Sequence, residues 1–188
     1  MDVLLTTFLA AVLAEFGDKT QLLVIILAAR FNKPAAVIAA VAVAALANTL
    51  IAAAGGVLIN GMITLRAISL LVAIAFILAA AGNFLPQKRP DMGSTWKTGA
   101  FLTTAGCFFL LEFGDKTQFL TAALAARYDS LGLAALGATA GIVAANVPAA
   151  VLGERAEKVL PLKTLRVATG ALFLLVGFIV AVNALRLI

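Results

Sequence analysis

The chain has 188 residues, 63% of them hydrophobic and 12% charged, with a net charge of +5, no histidine and a single cysteine. A soluble domain carries about 25% charged residues, so the composition excludes an ordinary soluble enzyme or binding module. The lone Cys107 excludes an intramolecular disulfide and a thiolate metal cage and reads as a small packing residue, and basic residues without a clustered face exclude nucleic-acid binding.

Six apolar runs follow in chain order, each near the roughly 20 residues with which a helix crosses a bilayer. The N-terminus, Met1-Asp2-Val3, lacks a basic leader region and reads as the start of a retained helix rather than a signal peptide. Segment one covers residues 3–29 and closes at Arg30-Phe31-Asn32-Lys33-Pro34, a polar turn with a helix breaker. Segment two covers 35–59 and carries Asn48 and Gly55-Gly56; segment three covers 64–85 after a short turn at Asn60-Gly61. A basic linker, 86–97, precedes segment four at 98–126, and Trp96 in it reads as an interfacial anchor. Asp129-Ser130 turns into segment five, 131–152, in which Asn146 is followed by Pro148, a predicted kink. The charged loop Gly153-Glu154-Arg155-Ala156-Glu157-Lys158 leads to segment six, 162–185.

Segment one contains Glu15-Phe16-Gly17-Asp18-Lys19-Thr20-Gln21, and segment four repeats it letter for letter as Glu112-Phe113-Gly114-Asp115-Lys116-Thr117-Gln118. Charges inside hydrocarbon cost several kcal/mol and are rare there unless functional. The match extends further: Arg30 and Arg127 share the motif's offset (112 − 15 = 97; 127 − 30 = 97), Asn48 and Asn146 lie 98 apart, and Thr64-Leu65-Arg66 and Thr164-Leu165-Arg166 lie 100 apart. The sequence therefore predicts two three-helix units, 1–85 and 98–188, joined by the linker at 86–97. An odd helix count starts the second unit from the opposite side of the membrane, so the expected architecture is all-α, six transmembrane helices in two inverted repeats.

Outside the motifs, Arg30, Lys33, Lys88, Arg89, Lys97, Arg155, Lys158, Lys163 and Arg166 fall on one side, against Arg66, Arg127 and Arg186 on the other. The positive-inside tendency makes the first side cytoplasmic and puts both termini outside. Arg30 and Arg127 read as snorkelling anchors. Helix rise puts Glu15 about 18 Å and Glu112 about 21 Å from their respective faces, so both motifs reach the middle of a hydrocarbon core about 30 Å thick.

On an unbroken helix Glu15 and Asp18 share a face, Lys19 borders it, and Thr20 falls roughly opposite. Gly17 weakens the helix and equally permits local unwinding, and the sequence leaves both arrangements open. Together the motifs offer Glu15, Asp18, Glu112 and Asp115, a donor set of oxygens that suits Mn²⁺, Ca²⁺ or Mg²⁺ rather than soft metals. Gln21, Gln118, Asn48 and Asn146 are further candidate oxygens; the asparagines fit interhelical hydrogen bonding equally well. Lys19 and Lys116 read as counter-ions to the acids, and Thr20 and Thr117 either complete the site or bond back to their own helix. Four acids and two lysines sum to −2, which one divalent cation or two protons neutralise. Because crowding in low dielectric favours protonation and a neighbouring ammonium opposes it, such a site can hold either occupant, the requirement for antiport.

At these residues the chain resembles the family of Ca²⁺/Mn²⁺–proton exchangers, within the cation/Ca²⁺ exchanger group, that carries a duplicated Glu-x-Gly-Asp-Lys-Thr signature. Both signatures match without departure, and the short basic linker resembles the bacterial manganese-exporter branch of the MneA type rather than eukaryotic members with an acidic central loop. The resemblance implies an inner-membrane antiporter, not an enzyme and without a cofactor, exporting Mn²⁺ against protons. Its site would be Glu15, Asp18, Glu112 and Asp115, supported by Lys19, Thr20, Lys116 and Thr117. Ca²⁺ is the alternative substrate. An amino-acid exporter predicts a roomier site with fewer acids, a membrane enzyme needs a nucleophile that the sequence does not display, and a channel needs no proton coupling.

Overall fold

A computed structural model describes residues 2–91, 96–159 and 161–186, and every element among them is helical. In chain order these are α1 (Asp2–Glu15), α2 (Lys19–Phe31), α3 (Pro34–Asn60), α4 (Leu65–Phe84), α5 (Ala100–Glu112), α6 (Lys116–Tyr128), α7 (Leu131–Leu152), α8 (Ala156–Val159) and α9 (Leu162–Leu185). Segments two, three, five and six appear as α3, α4, α7 and α9. Segments one and four are not continuous: each breaks inside the motif, into α1 and α2 and into α5 and α6. The charged stretch expected as a loop is also helical, a 3₁₀ turn at Gly153–Arg155 followed by α8. The expectation for Met1 and part of the linker, 92–95, lies outside the described residues.

Local signals set the boundaries. Pro34 opens α3 at its first turn, where the missing N–H is no loss. Thr64 caps α4, its hydroxyl accepting from the Ala67 amide at 3.3 Å. Asn32 and Asp129, 97 residues apart, close α2 and α6 in the left-handed conformation with φ of 52° and 49°. Four described helices, α3, α4, α7 and α9, are long and apolar enough to cross a membrane. The 13–14 residues of α1, α2, α5 and α6 reach about 20 Å each at 1.5 Å per residue, too short to cross singly.

The packing brings the two breaks together. The long α3 packs along both α5 and α6, and α7 along both α1 and α2, while α3 and α7 also pack on each other. Asn48, in mid-α3, therefore lies beside the second break and Asn146, in α7, beside the first. Thr49 and Thr139 hydroxyls meet at 2.7 Å across the α3–α7 contact. Small residues allow these approaches: a Cβ on Gly56 would stand 2.1 Å from the Ala122 carbonyl of α6, and one on Gly141 2.5 Å from the Phe8 carbonyl of α1. The α4–α9 pair packs outside this centre, against α6 and α1. Phe76 and Phe173 meet edge to face within it at 5.5 Å.

The breaks themselves differ in their surroundings. Gly17 and Gly114 both have positive φ, 72° and 76°, where an L side chain costs about 1–2 kcal/mol. At Gly17 an added Cβ would also stand 2.6 Å from the Leu162 carbonyl at the start of α9, whereas at Gly114 nothing lies within 4 Å. Gly17→Ala should therefore lower the thermal midpoint in detergent more than Gly114→Ala. Equal losses would contradict the packing of α9 on the first break.

Candidate functional site

Each break is a helix stop joined directly to a helix start. Glu15 ends α1, Gly17 turns left-handed, and Asp18 stands at the N-cap of α2 with φ −80° and ψ 166°. The second copy repeats this with Glu112, Gly114 and Asp115 at φ −81° and ψ 169°. A left-handed glycine is a common helix terminator and an aspartate a favoured N-cap, so the Gly-Asp dipeptide carries both signals. The turn closes through the Asp18 amide to the Glu15 carbonyl at 3.1 Å and the Asp115 amide to the Glu112 carbonyl at 3.0 Å. The glutamines complete it: Gln21 Oε1 accepts from the Gly17 amide at 2.9 Å and Gln118 Oε1 from the Gly114 amide at 2.7 Å.

Neither aspartate uses its side chain as a cap. Each instead pairs with the lysine of the other motif copy. Lys116 Nζ pairs with Asp18 Oδ1, and Lys19 Nζ pairs with Asp115 Oδ1 at 2.7 Å. The break separates the face on which Glu15 and Lys19 would meet on an unbroken helix, and each lysine is a counter-ion to an acid of the other copy instead. The pairs are unequally sheltered: the Lys116 and Asp18 side chains are 7% and 2% exposed, those of Lys19 and Asp115 30% and 14%.

Between the pairs lie the glutamates, both fully buried. Glu15 takes three donors: Thr20 Oγ1 at 2.7 Å on Oε2, Thr117 Oγ1 at 2.9 Å on Oε1, and Asn146 Nδ2 at 3.4 Å on Oε2. The threonines thus serve the site; Thr20, expected on the face opposite Glu15, folds back to it across the break. Glu112 differs. Both its carboxylate oxygens, with Asp115 Oδ2 and Asn146 Oδ1, are buried and find no hydrogen-bond partner among the described residues. A buried carboxylate without a partner is costly, and the charges of Glu15, Asp18 and Asp115 all act on this one. Among the described residues no three acids converge into a ready-made metal cage. What exists is one satisfied glutamate and one unsatisfied glutamate, flanked by aspartates already held by lysines.

The remaining candidates fall into place around this centre. Gln21 and Gln118, considered as oxygen donors, have those oxygens occupied by the glycine amides. Asn48 donates to the Phe109 carbonyl at 3.2 Å rather than to Glu112. Arg30, expected to snorkel, reaches the Trp96 carbonyl at 2.9 Å and lies over the Phe31 ring. The sequence reading missed Asn83, which is buried and bonded to Thr169 at 2.9 Å, one residue from Gly82, whose Cα faces the Lys116 stem. The available signal was an asparagine at the end of an apolar run, with Asn183 at the same offset of 100 as Thr64 and Thr164.

Apolar helices enclosing charged residues from two copies of one motif define a membrane protein with a polar site in its interior. A family model described as "Divalent cation/proton antiporter GDT1" matches residues 3–91 and 100–187. A protein of Vibrio cholerae serotype O1 (strain ATCC 39541 / Classical Ogawa 395 / O395) named "Putative manganese exporter" is 37% identical over 182 residues, 96% of this chain and 91% of that protein. The chain belongs to the GDT1 family of divalent cation/proton antiporters. It is accordingly a transporter rather than an enzyme, with the metal ion as cargo. No solved structure matches it.

Loss of Lys116 leaves Asp18 charged and buried without its partner, a change that costs about 3–5 kcal/mol for buried pairs. Lys116→Ala should therefore destabilise the detergent-solubilised protein far more than Lys19→Ala, whose pair is partly exposed and worth less. Equal effects on the thermal midpoint would contradict the difference in shelter.

Proposed function

We propose that this chain exports Mn²⁺ from the cytoplasm in exchange for protons, with one divalent cation bound between Glu15 and Glu112 near the membrane midplane. The observation that carries this reading is Glu112, whose two buried oxygens have no partner among the described residues beside equally unpartnered Asp115 Oδ2 and Asn146 Oδ1. All are oxygens, the donors that Mn²⁺, Ca²⁺ and Mg²⁺ prefer. The crossed ion pairs sharpen the charge balance. Lys116 neutralises Asp18 and Lys19 neutralises Asp115, so the −2 of the ionised centre resides on the glutamates. One M²⁺ cancels it, and so do two protons, which makes the occupants mutually exclusive and sets an exchange of two protons per cation. The name of the Vibrio cholerae relative supports Mn²⁺ over Ca²⁺.

In this reading α1 with α2 and α5 with α6 act as two broken spanning elements beside α3, α4, α7 and α9. That gives six spans in two inverted units, residues 1–85 and 98–188, linked at 86–97, in the inner membrane of a bacterium. The lysine and arginine distribution supports both termini outside. Alternating access comes from rocking of the outer α4–α9 pair against the centre formed by α1, α2, α3, α5, α6 and α7. Broken helices suit this role, because their ends at the midplane expose backbone dipoles to the ion.

The test is flux in proteoliposomes with an imposed pH gradient, measured separately for Mn²⁺, Ca²⁺ and Mg²⁺. Wild-type protein should accumulate Mn²⁺ against its gradient when protons run down theirs in the opposite direction, and Glu15→Gln with Glu112→Gln should abolish that movement. Unchanged flux in the double variant would overturn the site, and Mn²⁺ movement indifferent to pH would overturn proton coupling. A preference for Ca²⁺ would replace the substrate while keeping the mechanism.

A further inference from the structure

The two motif copies are identical in sequence, yet their glutamates are treated differently: Glu15 has three donors and Glu112 none among the described residues. The glutamines trace part of this difference to one residue of register. Gln21 is buried and uses both ends of its amide. Its oxygen accepts from the Gly17 amide at 2.9 Å, and its nitrogen donates to the Ala145 carbonyl of α7 at 2.7 Å. The next residue along α7 is Asn146, which donates to Glu15 Oε2 at 3.4 Å and to the Ile142 carbonyl at 2.9 Å. The first break, the α7 backbone and a donor to Glu15 thus form one chain of contacts.

In the second copy the same glutamine lands one position later. Gln118 holds the Gly114 amide at 2.7 Å, but its nitrogen reaches the Asn48 carbonyl at 3.2 Å and Asn48 Oδ1 at 3.4 Å. The residue that matches Ala145 is Ala47 (145 − 98 = 47). With its oxygen engaged by Gln118, Asn48 turns its nitrogen to Phe109, and Glu112 receives nothing from it. The two helices also differ in sequence just beyond these contacts. Pro148 lies within α7, has no N–H to donate to the carbonyl of residue 144, and disturbs the turn before it. The matching residue of α3 is Leu50 (148 − 98 = 50), which keeps its donor.

We infer that Gln21 is a positioning residue of the transport site: it clamps the α1–α2 break onto α7 and thereby sets Asn146 on Glu15. This rests on the antiport reading above and deepens it. Glu15 becomes the preorganised ligand, and Glu112, whose glutamine clamp is displaced by one residue, stays free to close on the cation. Because both amide groups of Gln21 are engaged, it acts through Asn146 rather than by touching the ion.

The experiment is a double-mutant cycle on Mn²⁺ transport in proteoliposomes, with KM and kcat measured for Gln21→Met, Asn146→Ala and the two combined. Outer partners of a metal ligand cost about 10- to 100-fold in metal affinity when removed. Each single variant should raise KM by about tenfold with kcat largely kept, and the combination should be no worse than the poorer single. Gln118→Met with Asn146→Ala, which this chain of contacts does not link, should multiply instead. If Gln21→Met does not survive purification, Gln21→Asn, whose amide stops one methylene short of Ala145, carries the same expectation. Multiplying effects for Gln21 with Asn146 in a protein whose wild type transports normally would overturn this inference alone. A wild type that moves none of the three metals would overturn the antiporter reading and this inference with it.

Discussion

Asp18 and Asp115 each take their counter-ion from the other copy of the motif, and the rest of the centre follows from that exchange. A lysine inside an apolar protein cannot be left unpaired, nor can an aspartate. Exchanging partners gives all four an opposite charge only when the two breaks face each other. The crossed pairs therefore tie α1 with α2 to α5 with α6, in addition to the packing of α3 and α7. They also give Asp18 and Asp115 each a lysine on Oδ1, while Asp115 Oδ2 keeps no hydrogen-bond partner among the described residues.

The scaffold is shaped to permit this. Gly56 and Gly141 bring helices into backbone contact with α6 and α1, leaving no room for a Cβ. Thr20, Thr117 and Asn146 occupy the first glutamate, while the second is buried without a partner among the described residues. A site assembled from identical motifs is thus asymmetric in fact. Asymmetry of this kind suits a transporter, because two equally satisfied carboxylates would give a cation little reason to enter.

Much of this was legible in the sequence. The six apolar runs, the duplicated motif and the recurring offsets of 97, 98 and 100 located the acids, and residues 131–152 and 162–185 form the helices expected of them. Cys107 is the buried packing residue that a lone cysteine suggested. The breaks were half-legible. Gly-Asp carries a stop and a start signal side by side, but inside a run apolar on every face there is no periodicity whose interruption would reveal a break. The partners of Lys19, Lys116, Thr117 and Gln21 were not legible, because helical spacing supplies only neighbours three or four residues away. The bond from Thr117 to Glu15 spans 102 residues and that from Gln21 to Ala145 spans 124. Such pairings follow from how α3 and α7 bring the breaks together, which local pattern does not encode.

Membership of a divalent cation/proton antiporter family makes the location of the ion the central question. The most direct measurement is a structure of the protein crystallised with Mn²⁺ and recorded at the manganese absorption edge. A single anomalous peak bridging the Glu15 and Glu112 carboxylates, with Lys116 still on Asp18 and Lys19 still on Asp115, is the predicted result. A peak held by the acids of one motif copy alone, or one that displaces the lysines to bind both aspartates, would contradict a site shared between the glutamates.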